Sequence, residues 1–98
     1  MKFISTAGCF QQNIGIDGND GNWVDACKDR KVDSPEGCQK MCQTVSNCVV
    51  FVYIGELVYD EAYRKSCCFR SVQSENNTIT KAHHVTGPRF CGKYLKPT

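Results

Sequence analysis

Ser34-Pro35-Glu36-Gly37-Cys38-Gln39-Lys40-Met41-Cys42 is the stretch whose reading decides the fold. Proline favours the first helical position and drives its predecessor out of the α region, so Ser34 reads as an N-cap and Pro35 as the first helical residue. Glu36 then faces the positive end of the helix dipole. Cys38, Met41, Cys42 and Val45 follow at i, i+3, i+4 and i+7, a single apolar stripe. The spacing predicts a helix from Pro35 to Val45, ending near Ser46-Asn47, with two cysteines one turn apart on its buried face.

Cys48 to Ile54 is β-branched and aromatic without a break, the pattern of a central strand covered on both sides. Gly55 ends it. Glu56 to Lys65 reads as a polar, Tyr-bearing excursion shaped as an extended hairpin, and Ser66 to Val72 as the next strand. Upstream, Phe3 to Phe10 suits a short strand, and Asp17-Gly18-Asn19-Asp20-Gly21-Asn22 is the densest turn signal in the chain. Downstream, Gln73 to Thr80 reads as a polar loop and Arg89 to Leu95 as a last strand, with Lys96-Pro97-Thr98 as a linker-like tail. One helix among several short strands makes the fold class α+β, a single helix packed on an antiparallel sheet.

The chain has 98 residues, eight of them cysteine, and 41% are hydrophobic. That length is one domain, with a core of about residues 9 to 91, and a chain so short buries only about two thirds of its unfolded surface. An even and high cysteine count in a small chain points to four disulfides and an oxidising compartment. It argues against a cytosolic enzyme and against a disordered tail. A net charge of +2 is too weak for a nucleic-acid partner, and no apolar run approaches the roughly 20 residues that cross a bilayer. No export signal is visible, so the chain reads as a module cut from a longer secreted protein, monomeric in isolation.

Eight cysteines allow 105 pairings, and chain geometry narrows them. Cys48 lies across the turn that closes the helix, which makes Cys42–Cys48 the natural short bridge. Cys67 and Cys68 are adjacent on a strand and point to opposite faces. Phe69 shares a face with Cys67 and belongs in the core under the helix, so Cys67 pairs with Cys38. Cys68 is left for Cys27 on the far side, and Cys9 with Cys91 ties the termini. A zinc site needs converging ligands at spacings such as C-x₂-C, which C-x₃-C on a helix with distant His83-His84 does not supply.

Taken together, Ser34 to Cys42, then Cys48-Val49-Val50-Phe51-Val52-Tyr53, then Cys67-Cys68-Phe69-Arg70, resemble the PAN/apple domain family. The family has a C-x₃-C helix, a C-x₂-F-x-Y strand and a C-x-(L/F)-(K/R) strand. Ile16 to Asp20 is similar to its turn ahead of the helix, and Thr86-Gly87 to its closing segment. The resemblance implies one helix cradled by a twisted antiparallel sheet, with Cys38–Cys67 and Cys42–Cys48 as core bridges and Cys9–Cys91 as the apple-type terminal bridge. Cys27 and Cys68 are additional to the six-cysteine pattern, as in the tandem apple repeats of apicomplexan microneme adhesive proteins. Apple domains of plasma kallikrein and coagulation factor XI are other members.

Chemistry for catalysis is sparse. His83 and His84 are neighbours that point apart in extended chain, so they do not converge on one bond, and both read as solvated loop residues. With every cysteine bridged no thiol nucleophile remains, and no G-x-S-x-G or phosphate-binding glycine loop occurs. The run from Asp17 fails as a calcium loop at Gly21 and Lys28. Neither a cofactor nor a metal is expected. Asn76-Asn77-Thr78 is an N-glycosylation sequon.

The expected function is therefore non-catalytic recognition of a protein or a glycan on a cell surface or in a secreted complex. Family resemblance places it in host-cell adhesion from a secretory organelle such as the microneme, with avidity across repeats. An accessory domain of a serine protease zymogen is the alternative, and a free-standing inhibitor or toxin a third reading. Candidate contact residues are the aromatics Trp23, Tyr59 and Tyr63 and the basic end carrying Lys81, His83, Arg89 and Lys93. For Trp23 the competing role is to cover the sheet edge near Cys27, and for the basic residues an ordinary solvated surface.

Overall fold

A computed structural model describes residues 9–16, 21–72 and 78–91. Its elements are β1 (Gln11–Ile16), α1 (Pro35–Thr44), β2 (Val50–Ile54), β3 (Ser66–Arg70) and β4 (Thr78–Pro88), with one 3-10 turn at Glu61–Tyr63. The strands form one antiparallel sheet in the order β1-β4-β2-β3. The result is a small disulfide-rich α+β fold with one helix on a four-stranded sheet.

The helix forms where the sequence places it. Ser34 is extended and its hydroxyl accepts a hydrogen bond from Gly37 N at 3.0 Å, with Pro35 and Glu36 opening the first turn. Cys38 and Cys42 are fully buried, and Met41 and Val45 pack beside them. This stripe lies on the sheet face built from Phe51 and Tyr53 of β2, Cys67 and Phe69 of β3, and Val85 of β4. β2 is the central strand, and all five of its residues are buried. Its alternate side chains Val50, Val52 and Ile54 face the other way and join Ile16, Cys27, Val58, Cys68 and Trp23 in a second apolar cluster.

All eight cysteines are paired, as Cys9–Cys91, Cys27–Cys68, Cys38–Cys67 and Cys42–Cys48, which is the expected connectivity. Cα separations of 5.0 to 5.7 Å are those of ordinary bridges. Cys67 fastens the helix face and Cys68 the far face. In the chain-entropy account the long Cys9–Cys91 closure stabilises by about 4 kcal/mol. The outer edge of β3 is covered by residues 22–32 through Val24 N to Phe69 O, Cys67 N to Arg30 O and Ser71 N to Asn22 O, each 2.9 Å. That lining removes an unpaired strand edge.

Several expectations are corrected. β4, Thr78–Pro88, takes in residues read as loop; Arg89 to Cys91 are not strand, and the rest of the expected strand at Arg89 to Leu95 lies outside the described residues. The β4 run Thr-Ile-Thr-Lys-Ala-His-His is polar because six of its first residues are exposed. The excursion at Glu56 to Lys65 is not a hairpin but a turn leading into the 3-10 turn, whose Ala62 N donates to Asp60 Oδ1. β1 was not anticipated: Gln11, Gln12 and Asn13 are poor strand formers on an exposed edge, with a bulge at Asn13, where φ is 59°. The expected strand at Phe3 to Phe10 falls almost wholly outside the described residues.

One close approach is decisive for the core. Phe10 and Phe51 meet edge to face at 5.1 Å between centroids, and both rings press on Gly87. A Cβ at Gly87 would sit 2.8 Å from the Phe51 ring and 2.9 Å from Phe10. Gly87→Ala should therefore destabilise the fold by about 2 kcal/mol, the usual cost of overpacking. A drop in melting temperature of roughly 10 °C in a calorimetric scan checks it.

Candidate functional site

Among the described residues, the far face of the sheet is covered by Trp23 and Cys27 from one loop and by Val58 from another. A pocket of about 300 Å³ opens there. Val52, Ile54, Ile16 and the Cys27–Cys68 bridge form its floor; Trp23, Asp25 and Ala26 form one wall, and Tyr63, Lys81 and His84 the rim. Alternation along each strand places the floor, since Val52 and Ile54 are the far-face residues of β2 and Cys68 that of β3. Trp23 sits there as a half-buried residue against the second cluster, bridged to Arg70. The fully buried Arg70 guanidinium stacks 4.7 Å from the Trp23 ring centroid and holds that wall.

Charges around the pocket are unevenly spent. Both oxygens of Asp25 are taken by Arg30, with Nη1 donating to Oδ1 at 3.0 Å, and Arg30 also caps Cys67 O and lies 4.2 Å over the Phe69 ring. Lys81 is exposed and makes no ion pair among the described residues. His84 is 8% exposed, opposite Ile54, so the expectation of a solvated loop histidine is corrected. Its Nδ1–H donates to Ala82 O at 3.0 Å, the only role a carbonyl partner permits, and this leaves Nε2 as the lone-pair nitrogen. Burial pushes the His84 pKa below its usual value; the charges of Lys81 and His83 add to this, and the Ala82 bond opposes it.

Beside the pocket, residues 55–65 form a braced loop. Gly55 N donates to His83 O and Lys65 N to Ile54 O, both at 2.7 Å, closing its base. Val58 is buried and its carbonyl accepts from Arg64 Nε at 2.9 Å. The Lys31 ammonium donates to Ala62 O, Arg64 O and Ser66 Oγ at 2.7 to 3.1 Å. On this fixed backbone Leu57 is 71% exposed and Tyr59 98%. The loop also carries Glu56, Asp60 and Glu61; Glu61 pairs with Arg64, and Lys65 is engaged by Asp33 and Glu56.

The pocket thus gathers Trp23, Tyr63 and Lys81 among the residues singled out from sequence, and adds Asp25 and His84, which the sequence did not single out. Tyr59 stands on the loop. His83 is exposed, with a φ of 66°, its N–H held by Asn13 Oδ1 at 3.1 Å. Lys93 and the sequon at Asn76 lie outside the described residues. Arg89 is occupied elsewhere: its guanidinium donates to Gln43 O, Ser46 O and Cys48 O at 3.0 to 3.4 Å, and Gln43 Nε2 returns a bond to Arg89 O. It supplies the cation that the last turn of the helix itself lacks.

Two outcomes follow from these placements. Arg89→Ala should cost about 2 kcal/mol in thermal or urea unfolding, because charge-assisted bonds to helix-end carbonyls vanish together. Arg89→Lys should recover only part, since a single ammonium lacks the planar fork. For His84, a folded-state pKa below the unfolded value near 6.5 means the unfolded chain binds the extra proton first. Stability is therefore full above pH 6.5 and declines as pH falls from there toward the lower folded value. Urea unfolding between pH 7.5 and 5.5 should show this slope, and His84→Gln should flatten it. No protein-family model matches the chain, and no curated protein sequence matches it.

Proposed function

We propose that the chain is a non-catalytic extracellular recognition module of the PAN/apple kind, working as a repeat of a secreted adhesive protein. The order of its cysteine-bearing segments supports this reading, and so does a fold stapled by four disulfides, which suits an oxidising compartment. The observation that carries it is the braced loop with Leu57 and Tyr59 turned outward. Large apolar side chains held in water on a fixed backbone lose little entropy when a partner covers them, which is the character of an interface anchor. Two apolar side chains at one tip favour a partner protein whose socket is apolar. Single sites of this size bind weakly, and repetition supplies strength.

The test is binding of the biotinylated chain, assembled on streptavidin as a tetramer, to animal cells by flow cytometry. Trypsin treatment of the cells should abolish the signal, and the Leu57→Ala/Tyr59→Ala double variant should lower apparent affinity at least about tenfold. Both side chains are exposed, so the variant keeps its melting temperature. A signal that survives trypsin but not glycosidase treatment would make the ligand a glycan, and unchanged binding by the variant would move the contact off this loop.

A further inference from the structure

The pocket on the far face adjoins the loop that carries Leu57 and Tyr59 and takes Tyr63 from it, but neither Leu57 nor Tyr59 lines it, and its lining specifies a ligand of its own. Its floor offers carbon: Ile16, Val52, Ile54 and the Cys27–Cys68 bridge. Trp23 and Tyr63 add aromatic walls. A ligand rich in hydroxyls finds few partners here, because Asp25 is already engaged by Arg30 and the Nδ1–H of His84 by Ala82 O. The charge left for a ligand is that of Lys81, a cation at the rim of an apolar hollow with no acidic partner among the described residues. Apolar depth beside one positive charge matches an apolar body carrying one negative charge.

We propose that this pocket binds the carboxyl-terminal residue of a polypeptide, its apolar side chain on the Val52–Ile54 floor and its α-carboxylate on the Lys81 ammonium. A pocket of about 300 Å³ suits one large side chain with its carboxylate and is at the lower limit for small-molecule sites. Lys81 gives the charge-assisted bond that distinguishes a chain end from an internal peptide. Trp23, fixed by the Arg70 stack, limits the depth and keeps the site open without ligand.

The experiment is titration of the intact chain with acetyl-Gly-Gly-Phe bearing a free carboxylate, followed by ¹H–¹⁵N NMR. Saturable shifts at Trp23, Val52, Ile54 and His84 with a millimolar or lower Kd are expected. The carboxamide of the same peptide should bind at least about tenfold more weakly. Lys81→Gln should lose the same factor, and Lys81→Arg should retain binding. Equal affinity for acid and amide, or no effect of Lys81→Gln, would overturn the proposal. So would shifts confined to the 56–61 loop. Tighter binding of 3-phenylpropanoate than of the peptide would overturn the chain-end assignment in favour of a small carboxylic acid.

Discussion

Adjacent residues on a strand project to opposite faces, and at Cys67-Cys68 both projections end in a covalent bond. One bond reaches Cys38 on the helix and the other reaches Cys27 in the covering segment, with Cα separations of 5.3 and 5.0 Å. β3 is therefore a fixed plane to which two layers are riveted, and neither layer can slide by one residue without breaking a bridge. The rest of the arrangement depends on this. With Cys67 committed to the helix, Phe69 and Phe51 must lie under it; with Cys68 committed to Cys27, Val52 and Ile54 must face the loop that carries Trp23. A chain of 98 residues has too little apolar surface to fix both layers by packing alone.

Cations do the second share of the fixing. Arg89 gathers one carbonyl of the last helical turn and two beyond it, Lys31 gathers two carbonyls and a hydroxyl at the 3-10 turn, and Arg30 joins Asp25 to Cys67 O. Each long side chain takes the place of a missing secondary-structure partner, with its aliphatic stem against apolar neighbours and its head on backbone oxygen. Lys81 takes no part in this pattern and stands exposed beside the pocket.

The helix, the central strand and the bridges were legible because each obeys a local rule: a Ser-Pro cap, a 3.6-residue stripe, an unbroken β-branched run, opposite faces for neighbouring residues. β1 and β4 were not, because exposed strands carry no alternation to read. Gln11 to Asn13 are polar and Thr78 to His83 are exposed, and their pairing is set by register with β2 through Val85, Thr86 and Gly87. Trp23, Tyr63 and Lys81 were legible as residue types suited to contact. That they converge was not, since they come from three segments brought together only when the sheet closes. Arg89 misled for the opposite reason. Its charge is visible in the sequence, but the three carbonyls it serves are an outcome of the fold.

The two faces of the sheet differ in how they are closed, and that difference produces the site. On one side a helix of ten residues lays a continuous apolar stripe on the sheet. On the other, residues 22–32 run along the edge of β3, and Trp23, Cys27 and Val58 are the side chains they and the 55–65 loop bring to the far face. The space left over is apolar on its floor because β2 is a central strand. It is polar at its rim because β4 is turning outward there, from buried His84 to exposed Lys81. An apolar hollow with a charged lip is thus what the described segments leave on this face of the sheet. The same cysteine, Cys68, that anchors the loop keeps that hollow from collapsing.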